Sequence, residues 1–146
     1  SEYSIWTRNP EIAVLDACEE LGINFVAFSP LGRGFLTGNF TLAENDFRHH
    51  IPRFYPNNLS RNNNIINIMR DLSIKEECTL AQLSLAWVLA RADIAIPGTT
   101  NESHLLENLN KITISDETIT ILNNVVDLVA GARYNTETQQ EVDTEI

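Results

Sequence analysis

Two short apolar runs, INFVAF (Ile23 to Phe28) and DIAIP (Asp93 to Pro97), constrain this chain more than any other feature. Each has the length and composition of a strand, and helical patterns separate them. Strands alternating with helices predict parallel pairing, and the continuous apolar run of Ile23 to Phe28 is what a strand buried on both faces looks like. Ser1-Glu2-Tyr3 offers at most the end of a third strand. Two or three parallel strands cannot make a covered sheet by themselves.

The segments around the strands have legible boundaries. Asn9-Pro10 reads as a helix start, with Asn as the cap and Pro in the first turn. Ile12, Val14, Leu15, Cys18 and Leu21 follow at helical spacing, and Gly22 suits a left-handed C-terminal cap. A stretch without regular pattern then runs from Ser29 to about Asn58. It carries Phe35, Phe40, Phe47, Phe54 and Tyr55, so a packed functional loop is expected rather than a slack one. Helical spacing returns from Leu59 to about Glu77. Thr79 with Gln82 forms a capping box opening the helix LAQLSLAWVLAR. GTTNESHLLENL turns into a helix near Glu102 or Ser103. Ser115-Asp116-Glu117 starts another, carrying Ile119, Leu122, Val125, Val126 and Leu128, with Gly131 as its stop. The expected organisation is one domain over 1–134 and a loose acidic tail over 135–146.

Charge and composition exclude several partners. The 146 residues carry a formal net charge of −10, which disfavours nucleic acid and anionic lipid. No apolar run approaches the roughly 20 residues of a membrane span, and no signal peptide is visible. Cys18 and Cys78 lack CxxC spacing and read as buried thiols of a reducing, cytoplasmic setting. His49 and His50 beside Asp46 suggest a metal only superficially: adjacent histidines point apart, no fourth ligand is indicated, and a solvated loop accounts for them. The chain begins at Ser1 and its one methionine is Met69, so a fragment, a processed product or a trimmed chain is expected.

Two loops follow the two strands, and both suit an anion. FSPLGRGFLTG (Phe28 to Gly38) has glycines that let backbone N–H groups approach a phosphate, and Arg33 adds charge. It has no GK[ST] and is not a Walker loop. On its own Gly32-Arg33-Gly34 is weak evidence and reads more readily as an ordinary turn than as a phosphate site. In IPGTTNESHLLEN, a helix starting near Glu102 would offer free N–H groups and a positive dipole end. The same Thr, Asn and Ser also serve as plain helix caps.

Taken in order, SEYSIWTRNPE, FSPLGRGFLTG, DFRHHIPRF, TLAQLSLAWVLA and IPGTTNESHLLENL resemble the C-terminal half of aldo-keto reductases. The branch resembled includes bacterial and plant aldo-keto reductases and the potassium-channel β subunits, and the resemblance runs from Ser1 to about Tyr134. It implies an α/β fold that is part of a (β/α)8 TIM barrel: the end of strand six, strands seven and eight with their helices, and a C-terminal helix. Whole barrels need about 250 residues, so the resemblance places the other half of the barrel outside this chain.

The resemblance also implies a site. Ser29, Leu31 and Arg33 would line the pyrophosphate of an extended NADP(H), and Phe28 would stack on the nicotinamide. The alternative for Phe28 is a core aromatic at a strand end. Gly98 and Thr99 would meet the 2′-phosphate region, and Glu107 and Asn108 the adenine. His104 stands where many family members carry Arg, and it grips a phosphate less well. NADP(H) is expected ahead of NAD(H), with weakened preference. The family's Tyr, Lys, Asp and His catalysts come from the first half of the barrel, so no catalytic residue is expected here. The only lysines, Lys75 and Lys111, lie in or near helices, and none of Tyr3, Tyr55 and Tyr134 is assigned the acid role. DFRHHIPRF could cover the cofactor or shape a substrate pocket, with Arg48, Arg53, Phe54 and Trp6 as candidate contributors. The functional expectation is the cofactor-binding half of an NAD(P)H-dependent reductase of small carbonyl compounds, inactive by itself. The alternative is a non-catalytic half-barrel that assembles with its missing half or with a copy of itself through open strand edges.

Overall fold

The computed structural model describes residues 1–135. Seven regular elements follow one another: α1 (Val14–Leu21), β1 (Val26–Phe28), α2 (Pro56–Lys75), α3 (Leu80–Leu89), β2 (Ile94–Ile96), α4 (Glu102–Leu109) and α5 (Asp116–Asn124). The strands pair in parallel, with Val26 opposite Ile94, Ala27 opposite Ala95 and Phe28 opposite Ile96. The Asp93 carboxylate accepts from the Phe25 N–H at 2.7 Å, fixing that register at its start. Ser1 to Tyr3 add a single parallel bridge to β1: Phe28 N–H donates to the Ser1 carbonyl and Tyr3 N–H to the Phe28 carbonyl.

The sheet is covered on one side only, which corrects the expectation of a strand buried on both faces. Ala27 is fully buried, whereas Val26 and Phe28 are 40% and 37% exposed and Ile94 and Ile96 are 45% and 53% exposed. Side chains alternate across a strand. The helices cover the Ala27 side, and no element among the described residues packs over the other.

The first helical segment begins differently from expectation. Asn9 does not cap it: Asn9–Ile12 is a 3-10 turn with Arg8 at its N-cap and no side-chain cap. The backbone breaks at Ala13 before α1 starts. Pro10 fits the tight turn and is buried. Gly22 closes α1 in the left-handed conformation at φ 64°, and Ile23 N–H returns to the Cys18 carbonyl at 2.8 Å.

The long loop is packed, as its aromatics require. It contains 3-10 turns at Gly32–Thr37, Phe47–His50 and Pro52–Phe54. Phe35 stacks on Trp6 at 4.1 Å between ring centres, Phe54 meets Trp6 edge-on at 5.3 Å, and Phe40 closes the cluster against both phenylalanines. The next helix starts earlier than the periodicity suggests, because Pro56 fits its first turn. α2 buries Ile65, Ile66, Met69 and Leu72, and α3 carries the expected capping box.

Gly131 does not stop the last helix. α5 gives way to a 3-10 turn, Val125–Leu128, that ends at Val129. The buried amide of Asn62 then takes both backbone groups of Ala130, at 2.7 and 3.0 Å, and ties this segment to α2. The expected acidic tail lies, from residue 136 on, outside the described residues. Cys18 and Cys78 are unpaired and half-buried rather than buried. No helix among the described residues is long and apolar enough to cross a membrane.

Candidate functional site

Parallel pairing brings the loops after β1 and β2 to the same edge of the sheet, and between them lies a cleft of about 1500 Å³. Phe28, Ser29, Leu31 and Arg33 line one side. Gly98, Thr99, His104, Glu107 and Asn108 line the other. All nine residues that the resemblance assigns to the cofactor therefore share one cavity. Phe28 presents its ring to this space and is not a core aromatic.

The first loop owes its shape to left-handed backbone. Ser29, Gly32, Arg33 and Gly34 all have positive φ, at 49°, 56°, 56° and 91°. Gly32 is needed on two counts: its conformation disfavours a side chain, and a Cβ there would lie 2.9 Å from Cε3 of Trp6. The N–H groups of Gly32 and Gly34 are consumed within the loop, by the carbonyls of Ser29 and Leu31. Those of Leu31 and Arg33 find no acceptor among the described residues. With the N–H and hydroxyl of Ser29, which likewise have no partner among the described residues, they are donors this loop has to offer an anion.

The Arg33 side chain is already engaged. Its guanidinium lies 3.6 Å from the buried Glu2 carboxylate and donates to the Tyr134 hydroxyl at 3.4 Å. Glu2 also accepts from Thr7 and from Arg133, each at 3.0 Å. Tyr134 is thereby part of the site's support, which its place near the chain end did not suggest.

The second loop departs from expectation at the helix start. Asn101 Oδ1 accepts from the N–H groups of Ser103 and His104 and from the Ser103 hydroxyl. The first turn of α4 is closed by its own cap, so those N–H groups are not free for a phosphate. Gly98, by contrast, faces open space. Glu107 accepts from the Thr79 hydroxyl at 2.6 Å, which joins α4 to the start of α3. The side chains of His104 and Asn108 make no hydrogen bond within the described residues. The cationic side chains lining the cleft are Arg33 and Arg48, both in the first loop and its continuation.

Of the four further contributors named from the sequence, Arg48, Arg53, Phe54 and Trp6, only Arg48 lines the cleft. It lines the cleft with Asp46 and Phe47. Asp46 accepts its backbone N–H and both sides of its guanidinium, at 2.6 to 2.9 Å. These bonds from Arg48 hold the Asp46 carboxyl well below the usual carboxylate range. The i, i+2 spacing of Asp46 and Arg48 was the available signal, since Asp commonly accepts from the backbone two residues on. Arg53, Phe54 and Trp6 stand behind the cleft wall instead of lining it. Arg53 donates to the Trp6 carbonyl at 2.6 Å and to the Thr7 hydroxyl at 2.7 Å, and burial pushes its guanidinium down to about 10, so it stays charged near neutrality.

No cluster of metal-ligating side chains occurs among the described residues. His49 meets the Ala43 carbonyl at 2.8 Å, and His50 is exposed. Tyr3 is buried with its hydroxyl on Glu11, and Lys75 pairs with Glu117 at the far end of α2. None of the described tyrosines meets a lysine.

The model of the aldo/keto reductase family matches residues 1–127. An aldo-keto reductase of Schizosaccharomyces pombe, named for NADP(+), is 38% identical over 144 residues, covering 92% of this chain and 42% of that protein. An aldo-keto reductase of Gibberella moniliformis is 36% identical over 146 residues, covering 92% and 45%. The chain thus spans less than half the length of these curated relatives. Among solved structures, a thermostable aldo-keto reductase in complex with the inhibitor epalrestat is similar at a TM-score of 0.62 and 27% identity, over 85% of this chain and 38% of that one. The glycerol dehydrogenase of Gluconobacter oxydans shares the fold at a TM-score of 0.78 and 20% identity, over 92% of this chain and 44% of that one. Strands and helices here are those of a partial α/β barrel.

Proposed function

The chain belongs to the aldo-keto reductase family, and from that membership we propose that its cleft is the greater part of an NADP(H) site whose complete barrel reduces small aldehydes or ketones. The observation that carries this reading is the convergence of both strand-following loops on one cavity. The cavity is larger than the few hundred to 1,000 Å³ of ordinary small-ligand sites, so a dinucleotide fits by size. It also offers an exposed aromatic face at Phe28, free N–H groups at Leu31 and Arg33, and open backbone at Gly98.

Bound there, the nicotinamide would supply a hydride to the carbonyl carbon. The residues of this chain do the holding. Phe28 packs against the flat ring, and Ser29 with the Leu31 and Arg33 amides takes the pyrophosphate. Thr99 and His104 face the 2′-phosphate, while Asn108 and Glu107 meet the adenine. The relative named for NADP(+) favours NADP(H) over NAD(H). No Arg or Lys lines the α4 side of the cleft among the described residues, so the preference is modest.

Carbonyl reduction also needs a proton donor, and no tyrosine described here has the lysine neighbour that would tune it. On this reading the acid catalyst is not supplied by this chain, which alone does not turn over a carbonyl and holds NADPH weakly because one side of the nicotinamide site is open. Purified chain mixed with NADPH and a generic aldehyde should consume no NADPH above a blank, and calorimetry should give a dissociation constant weaker than micromolar. Turnover would sink the first statement, micromolar affinity the second, and no binding at millimolar NADPH the cleft assignment itself.

A second reading concerns partners. The open sheet face, with Val26, Phe28, Ile94 and Ile96 exposed, favours a half-barrel that assembles with another α/β chain, its missing half or a copy of itself. Nucleic acid and membrane stay outside the proposal, given the net charge of −10. The two unpaired cysteines support a cytoplasmic setting.

A further inference from the structure

Arg48 reaches the cleft wall, yet its guanidinium has little left to give a ligand. Nε donates to Asp46 Oδ1 at 2.9 Å, and Nη2 to Asp46 Oδ2 at 2.6 Å and to the Thr41 carbonyl at 2.9 Å. Nη1 donates to the Arg33 carbonyl at 2.9 Å. The side chain is 16% exposed and lies over the rings of Phe40 and Phe54. A Cβ on Gly34 would come within 3.4 Å of Nη1, so the guanidinium rests directly on the Arg33-Gly34 turn.

That turn needs holding. Arg33 adopts φ 56°, a conformation that non-glycine residues avoid and that persists only where surrounding contacts over-determine it. The bond from Arg48 to the Arg33 carbonyl fixes one end of this residue. The contacts of its own guanidinium with Glu2 and Tyr134 fix the other. The same turn carries the Leu31 and Arg33 N–H groups, which have no acceptor among the described residues.

We propose that Arg48 is a positioning residue for the dinucleotide site: it locks the Arg33-Gly34 turn so that the Leu31 and Arg33 amides are preorganised for an anionic linker, without touching that linker itself. This rests on the cofactor reading given above. Three acceptors in different directions suit the planar fork of arginine and not the single point of a lysine ammonium. Charge alone therefore does not replace it.

Titration of the 146-residue chain with NADPH, followed by backbone amide resonances, tests this. In Arg48→Lys and Arg48→Ala alike, the dissociation constant should rise at least fivefold. The Arg33 and Gly34 amide signals should shift and broaden before any ligand is added, while those of Thr99 and Asn108 stay in place. Asp46→Asn, which keeps the cation and loosens its anchor, should move the same signals in the same direction to a smaller extent, and it provides a folded test should the Arg48 variants unfold. Undiminished affinity in Arg48→Lys with loss in Arg48→Ala would mean a simple cation and overturn the proposal. So would a lowered melting temperature with unchanged affinity. Absence of NADPH binding by the unsubstituted chain would instead strike the cofactor reading, and the proposal with it.

Discussion

Tyr3 carries the clearest pH signature of any single residue. It is fully buried, it meets Phe25 and Trp87 ring to ring, and its hydroxyl donates to Glu11 at 2.8 Å. Burial first, then Glu11, pushes its phenol far above the ordinary value of 10.0. In the unfolded chain the phenol ionises near pH 10, while the folded chain keeps it protonated. The stabilisation is complete below pH 10 and is lost as the pH rises beyond it, at about 1.4 kcal/mol per pH unit. Urea denaturation at pH 8, 10 and 11 should show that decline, and Tyr3→Phe should flatten it; an equally steep decline in the variant would assign it to other groups. At this scale the sequence was legible where a place in a local pattern decides, as at Gly22, which closes α1; the glycines expected to free N–H groups for an anion instead spend those of Gly32 and Gly34 inside the loop. The sequence was not legible where a side chain chooses between distant partners. Arg33 faces Tyr134 across 101 positions of the chain, and no local pattern encodes that choice.

Capping makes an element's start readable, and α3 shows it well. Thr79 accepts the Gln82 N–H at 3.1 Å, and Gln82 accepts that of Thr79 at 3.1 Å. The Thr79 hydroxyl donates to Glu107 and so fastens α4 as well. Thr79→Ala should cost roughly 1 kcal/mol in the cap, within the usual range of about 0.5–2, while Thr79→Ser keeps most of it. Chemical denaturation of both variants decides this, and equal losses would show that the hydroxyl is not what matters. The same residue lines the cleft, so a structural cap and a candidate binding wall meet there. Capping signals failed at Asn9, where the tight turn around Pro10 begins a residue earlier, at Arg8, and at Gly131, where Asn62 holds the chain before the glycine is reached. The second failure comes from a contact made between elements, to which a local pattern is blind.

For the whole molecule the open sheet face dominates. Val26 and Ile94 sit side by side in register, both well exposed, and apolar surface of this kind seeks cover. Light scattering of the purified chain should show species heavier than a monomer. Val26→Lys with Ile94→Glu, opposite charges at paired positions, should shift it towards the monomer without unfolding it. A clean monomer in the unsubstituted chain would remove the copy-with-copy reading. From the sequence, the count of strands already showed that the sheet was too small. What it missed was which face stays open, because a short apolar run looks the same with one face covered or two.

The register of β1 with β2 has a further consequence, in chain entropy. Phe25 and Asp93 meet across 68 positions, whereas the cap of α3 and the close of α1 are made by near neighbours. Closing so long a stretch has an entropic cost that must be met before its contacts reward it. The sheet register therefore carries a larger closure cost than either helix end. The cleft is built on that sheet edge, so its two walls are held together by a contact between distant parts of the chain.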